Sequence, residues 1–215
     1  MALGIMLAED VRAPTTVRDP VAALDEHIAD ALSALALPCV ARVRMLTDVG
    51  SGAGVPGLPL AIALPEAEVA LVEATRRKCA YLSLAVERLG LDNVEVVCRR
   101  VESWPEGFGR SDVVTARALA APDVVAEYAA PLLRTGGALV VWRGQRDVVA
   151  EAALQRAATV LGMAVQDPIA VEPYPGSLHR HLHVILKDGP TPPQFPRREG
   201  VARKRPLGEE RLPQR

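Results

Sequence analysis

The feature that most constrains this chain is the alternation that begins at residue 44, where short runs rich in Val and Leu take turns with amphipathic segments. The apolar runs at 44–49, 68–73, 94–98, 111–116 and 137–142 read as strands, and the stretches at 58–64, 76–89, 122–133 and 147–161 read as helices. Parallel neighbours need crossover connections, and these are right-handed, so strict alternation predicts an α/β fold with a doubly wound parallel sheet covered on both faces. The pattern breaks near the end. Segments 164–171 and 178–187 read as two strands with only Glu172-Pro173-Tyr174-Pro175-Gly176-Ser177 between them, which predicts an antiparallel hairpin. Ahead of the alternation, Val21, Leu24, Ile28, Leu32 and Leu35 recur at helical spacing over 20–37, and Pro38 closes the run.

A chain of 215 residues with 49% hydrophobic content can bury one full core, and two independent domains would be cramped. The chain is expected to divide into an N-terminal helical segment at 1–43, an α/β domain at 44–188 and a Pro-rich basic tail at 189–215. In the tail, Pro190, Pro192, Pro193, Pro196, Pro206 and Pro213 exclude a long helix and predict an extended course over the surface. The apolar runs are too short or too interrupted to span a bilayer, and Met1 to Leu7 carries no basic residue, which predicts a cytoplasmic protein with no membrane partner. Cys39, Cys79 and Cys98 are odd in number and widely spaced, so they are expected to be reduced, buried small residues. No metal is expected. His179, His181 and His183 alternate along one predicted strand, but no acidic or thiol side chain in that strand completes a ligand set.

A net charge of −1 argues against coating nucleic acid through bulk charge. The charge is unevenly placed, however, with −4 over residues 1–30 and +4 over residues 187–205, and a local basic patch can hold phosphates despite a neutral total. Trp104 and Trp142 are too few and too far apart in sequence to suggest a base-stacking platform.

The first predicted strand runs directly into a glycine-dense turn, Asp48-Val49-Gly50-Ser51-Gly52-Ala53-Gly54-Val55-Pro56-Gly57. Gly50, Gly52 and Gly54 can take positive φ and leave room for a nucleoside against the backbone. The next strand ends in Glu73, whose carboxylate can accept from two ribose hydroxyls. A pyrophosphate site wants a glycine turn leading into a clean helix N-terminus, and here Pro56 and Pro59 delay the helix. S-adenosylmethionine carries no phosphate, so the turn suits it better than a dinucleotide.

The run from Asp48 to Ala61 resembles the signature of the RsmG (GidB) family, bacterial methyltransferases acting at N7 of a guanine in 16S ribosomal RNA. Arg18-Asp19-Pro20 with His27-Ile28-Ala29-Asp30 is similar to the family's helix ahead of the first strand. Asp112 to Ala118 is similar to its fourth strand, and Phe195-Pro196-Arg197-Arg198 with Lys204-Arg205-Pro206-Leu207 to its basic C-terminal motif. The chain departs from the family where Ala13-Pro14-Thr15 stands in place of an Asn-Leu-Thr signature. The resemblance implies a class I S-adenosylmethionine-dependent methyltransferase with a mostly parallel seven-stranded sheet and one antiparallel strand. It implies cofactor contacts at Asp48, Gly50, Gly52, Gly54, Val55 and Glu73, with Val101 and Glu102 flanking the adenine. It further implies that Arg117 stands at the mouth of the catalytic centre and touches the cofactor, and that Arg197, Arg198, Arg203, Lys204 and Arg205 meet the RNA of the small ribosomal subunit. An NAD-linked oxidoreductase and a non-catalytic RNA-binding or assembly paralogue are the alternatives.

Overall fold

The structure, a computed structural model, describes residues 2–209. Residues 210–215 of the expected tail lie outside the described residues. The chain opens with helix α1 (Ala2–Glu9) and a helical stretch comprising α2 (Pro20–Ala23), a π-helical turn at Leu24–Ala29, α3 (Asp30–Leu32) and a 3₁₀ turn at Ser33–Ala36. Helix α4 (Pro38–Ala41) leads into strand β1 (Met45–Val49). Then follow α5 (Gly57–Ala63), β2 (Glu68–Val72), α6 (Arg76–Leu89), β3 (Val94–Val97), β4 (Ser111–Arg117), α7 (Pro122–Ala129), β5 (Leu133–Arg143) and α8 (Val148–Val160). Strands β6 (Met163–Val165), β7 (Ile169–Val171) and β8 (Arg180–Lys187) complete the sheet, and a single turn, α9 (Val201–Lys204), follows.

The strands lie in the order β3-β2-β1-β4-β5-β8-β6, with β7 also paired to β8. Pairs β1–β2, β2–β3, β1–β4 and β4–β5 are parallel, and β8 runs antiparallel to β5, β6 and β7. The expectation of a mostly parallel sheet with one reversed strand is therefore borne out. The segment read as one strand at 164–171 is two short strands, which raises the strand number from seven to eight. After β3 the chain returns to place β4 beside β1, so strand order reverses between β1 and β4 and opens a crevice at their carboxyl ends.

Alternation along each strand sends side chains to two cores. Leu46, Leu71, Val113 and Val140 face α1, α5 and α6, packing on Leu7, Leu58 and Leu82. Ala70, Val114, Leu139 and Val141 face α7 and α8, packing on Val124, Val125 and Leu154. The helix at 20–37 shows a different inward face from its apolar spacing. Val21 is 66% exposed, whereas Ala23, His27, Asp30, Ala31 and Ala34 are buried. The π-helical turn inserts extra backbone just before Asp30 and brings His27 and Asp30 inward, so two polar groups occupy the face that pattern assigned to Leu24 and Ile28.

The cysteines also differ from expectation. Cys79 and Cys98 are joined by a disulfide, their Cα atoms 5.7 Å apart. Cys79 lies in the first half of α6 and Cys98 just after β3, elements whose packing is invisible in a linear spacing of 19. Cys39 is free and half-buried. His179 falls outside β8 with φ of +61°, which separates it from His181 and His183.

Beyond residue 189 the chain lies along α7 and α8 and is tied to both. Thr191 donates to the Ala130 carbonyl (2.8 Å), and Gly208 N donates to Asp123 (3.1 Å), whose residue is 3% exposed. Arg197 grips the Glu127 carboxylate through Nε (2.7 Å) and a second nitrogen, and Glu127 is buried. Breaking one side of such a buried pair leaves an uncompensated charge. Arg197→Ala is expected to lower stability by about 3 kcal/mol, and Arg197→Met combined with Glu127→Leu to recover most of it, both measured by urea denaturation. A loss no larger for Arg197→Ala than for Arg198→Ala would refute the anchoring role.

Candidate functional site

The site forms where β1 and β2 end side by side. Their parallel register pairs Val49 with Val72, so the carbonyl of Val72 receives the amides of Gly50 (2.8 Å) and Ser51 (3.2 Å) as the chain turns away. Gly50 has φ of +70°, and a Cβ there would run into Leu119 Cδ1. Gly54, at φ of +86°, lies against Leu58 in the same way, on the inner side of the turn. Only glycine fits these two places. The Val55–Pro56 peptide that follows is cis. Glu73 clasps the turn from the neighbouring strand. Its Oε2 accepts from Gly52 N (3.1 Å) and its Oε1 from Thr75 N (2.8 Å), which fixes a carboxylate that is 6% exposed.

In front of these groups lies a cleft of about 670 Å³ whose lining includes Gly50, Glu73, Val101, Glu102, Leu119 and Tyr128. Lys78, Arg203 and Lys204 also face it. A second, smaller cavity of about 230 Å³ lies beyond the ends of β4 and β5, lined by Arg117, Val125, Val141, Trp142, Arg143 and Arg180. The two cavities share Ala118 and Leu119, with Ala118 held at φ of +53°.

Of the residues singled out from sequence, Gly50, Glu73, Val101 and Glu102 thus come together around one cleft. Gly52 meets Glu73 through its amide. Asp48, Gly54 and Val55 are buried beneath the turn and are not among the residues lining either cavity. Asp48 accepts a hydrogen bond from Thr115 (2.9 Å), linking β1 to β4 under the crevice.

Arg117 ends β4 and turns toward the N-terminal segment. It donates to the Glu26 carbonyl (2.8 Å) and Asp30 Oδ2 (2.9 Å), and its other nitrogen lies 2.9 Å from His27 Nδ1. A guanidinium only donates, so Nδ1 accepts and the imidazole proton sits on Nε2, 2.8 Å from Thr15 Oγ1. Burial, reinforced by the Arg117 charge, holds His27 below its ordinary pKa and favours this neutral tautomer. Trp142 Nε1 donates to the Asp30 carbonyl (2.8 Å), so one helical turn organises a wall of the smaller cavity.

Sequence reasoning missed His27 and Asp30 as partners of Arg117, and it missed Lys78, Tyr128, Arg143 and Arg180 as lining residues. Distance along the chain from the glycine turn hides all of them but Lys78, which follows Glu73 closely and carries no sequence signal that it faces the cleft. The basic tail divides. Arg197 is engaged by Glu127, Arg203 donates to the Leu119 carbonyl (2.9 Å), and Arg198, Lys204 and Arg205 are exposed. Among the described residues, no helix is long and apolar enough to cross a membrane, and no group of three or more His, Cys, Asp or Glu side chains is arranged to hold a metal.

Burial pushes the Asp48 carboxyl up from 3.8 to about 6, with the Thr115 hydrogen bond acting the other way. A carboxyl whose folded pKa is raised binds protons more readily when folded. Its contribution is fullest below the unfolded value and is lost as pH rises through the folded one. Relative to Asp48→Asn, the unaltered chain is expected to lose on the order of 3 kcal/mol of stability between about pH 4 and pH 7. Denaturant titration of both proteins at stepped pH measures the difference, and parallel curves would contradict the assignment.

Comparison with known proteins points in one direction. Residues 6–174 match the family described as rRNA small subunit methyltransferase G. The ribosomal RNA small subunit methyltransferase G of Rubrobacter xylanophilus is 41% identical over 196 residues, covering 88% of this chain and 75% of that protein. The protein of the same name from Chloroflexus aggregans is 43% identical over 198 residues, covering 90% and 82%. Among solved structures, a SAM-dependent methyltransferase from Aquifex aeolicus superposes with a TM-score of 0.60 at 20% identity, covering 78% of this chain and 94% of that one. The antibiotic-resistance methyltransferase Kmr gives 0.57 at 20% identity, covering 69% and 88%. These last two likenesses concern the fold.

Proposed function

The chain belongs to the rRNA small subunit methyltransferase G family, and from that premise we propose that it methylates N7 of a guanine in 16S ribosomal RNA, using S-adenosylmethionine, in the cytoplasm. The observation that carries the cofactor assignment is the cleft at the ends of β1 and β2. There a glycine whose Cβ would clash lies beside a carboxylate already oriented by two amides. That combination fits a ribose and its nucleoside, with Glu73 accepting from the hydroxyls and Val101 and Glu102 near the base. The bound cofactor supplies an electrophilic methyl group on a sulfonium.

The acceptor's demands on the chain are modest. Guanine N7 has a free lone pair and no proton, so no side chain needs to act as a general base. The protein's task is alignment, which is worth roughly 7–11 kcal/mol in favourable cases. The smaller cavity adjoins the cofactor cleft across Ala118 and Leu119, and it takes the base. Val125, Val141 and Trp142 supply apolar surface for a ring. Arg143 and Arg180 line the same cavity and are cations placed for flanking phosphates. Arg117 acts as a positioning residue. Its guanidinium is committed to Asp30, His27 and the Glu26 carbonyl, and it holds the N-terminal helical stretch against the cavity. Arg198 and Arg205 add exposed charge for RNA along the tail.

Family membership disfavours both an NAD-linked oxidoreductase and a non-catalytic assembly protein. Transfer of labelled methyl to small ribosomal subunits lacking the modification, mapped by strand cleavage at N7-methylguanine, tests the proposal. A single modified guanine in 16S RNA is expected, and label at another atom or none with folded protein would overturn it. In calorimetry the protein is expected to bind S-adenosylmethionine and not NADH. Glu73→Ala should weaken cofactor binding by at least about tenfold, the size expected for losing hydrogen bonds to a charged group. Cofactor affinity unchanged in that variant would remove Glu73 from the site.

A further inference from the structure

The C-terminal segment was expected to serve RNA, yet it forms one side of the cofactor cleft. Arg197 on Glu127 holds it to α7 on one side of the arch, and Gly208 on Asp123 holds it on the other. Between these anchors the chain crosses the mouth of the cleft. Gly200, at φ of +75°, donates its amide to Glu102 Oε1 (3.0 Å), the carboxylate expected near the adenine. Glu199 meets Arg100 (3.5 Å) and the Ser103 hydroxyl on the far rim. Ala202, 2% exposed, seals the segment onto the core. Arg203 donates to the carbonyl of Leu119, the residue whose side chain rests on Gly50. Glu199, Gly200, Arg203 and Lys204 accordingly line the cleft together with Glu73 and Val101.

We propose that residues 199–204 are a strap that completes the S-adenosylmethionine site, retaining the cofactor and positioning the Leu119 partition between it and the acceptor base. This rests on the reading of the cleft as the cofactor site. The sheet encloses a nucleoside from the β1, β2 and β3 ends and leaves the side facing α7 open, and the strap covers that side. Its basic residues then divide by direction. Arg203 and Lys204 face the cleft, while Arg198 is exposed and is not among the cleft-lining residues. Glu102 acts on the strap as its latch, and its contact with the cofactor is shared with that task.

Two measurements on the full chain test this. With S-adenosylhomocysteine as the probe, its dissociation rate followed by stopped-flow is expected to rise about tenfold in Arg203→Ala, the effect of losing one charged hydrogen bond, and to stay within about twofold in Arg198→Ala. Arg203 is exposed, so the variant keeps its fold, which a thermal midpoint checks. In the unaltered chain, tryptic cleavage after Arg203 and Lys204 is expected to slow about tenfold at saturating S-adenosylhomocysteine, since covering the ligand suppresses local opening. Equal cleavage rates with and without the probe overturn the proposal. So does an Arg203→Ala dissociation rate matching that of the unaltered chain. If the unaltered chain does not bind the probe at all, the cofactor reading itself has failed.

Discussion

The carboxylate of Glu73 ties the glycine turn to the strand beside it, and the geometry of the cleft follows from that tie. Its two oxygens take the amides of Gly52 and Thr75, while the Val72 carbonyl takes those of Gly50 and Ser51. These bonds exist because β1 and β2 are parallel and in register, so that Val49 and Val72 end level with each other. A one-residue slip would send Glu73 to the opposite face and turn Leu46 and Leu71 out of the core. Core packing therefore enforces the register, and the register delivers the carboxylate. The hydrophobic pattern and the binding site are two results of one alignment.

Charge in this protein does two separate jobs, and the group each cation meets tells them apart. Arg117 and Arg197 each face a buried carboxylate, Asp30 and Glu127, and each fastens a peripheral segment to the α/β domain. In a water-poor setting such pairs lose little to screening, but either member becomes a liability if the other is removed. Lys187 shows the same economy with neutral partners. Its side chain is buried and donates to the carbonyls of Leu161 (2.9 Å) and Gly189 (2.5 Å), closing the turn after α8 against the start of the tail. Lys78, Arg143, Arg180, Arg203 and Lys204, from four separate places in the chain, face the cavities instead.

Much of the fold was legible in the sequence because its signals are local. Each apolar run, the glycine-dense turn and the Pro-containing hairpin connection fall within a dozen residues; β1 to β4, α6 and α8 lie where those signals place them, while β5 starts at Leu133, in the end of the helix expected at 122–133. The glycines and Glu73 were legible for a related reason, since adjacent parallel strands bring their ends together whatever follows. What could not be read depends on contacts across the chain. Arg117 and Asp30 are 87 residues apart, Glu102 and the Gly200 amide 98, and Arg197 and Glu127 70. Charge patterning assigned Arg197 to RNA because a sequence shows the cation but not the buried acid it meets. The disulfide was hidden likewise, as the packing of α6 beside β3 sets it. The inward turn of His27 depends on a π-helical insertion that apolar periodicity does not encode.

On the proposed reading of the two cavities, the partition between them ties these elements to one reaction. Attack by an unprotonated ring nitrogen needs no acid or base from the protein, so rate depends on how firmly nucleophile and methyl donor are aligned, and a compliant wall between them would waste the arrangement. Ala118 holds a positive φ, a conformation that costs an L-residue about 1–2 kcal/mol. Upstream, Arg117 is fastened by Asp30 and His27. Downstream, the Leu119 carbonyl is held by Arg203 and its side chain lies over Gly50. Three distant parts of the chain, the N-terminal helical stretch, the glycine turn and the proposed C-terminal strap, thus converge on Arg117 and Leu119, the residues on either side of Ala118.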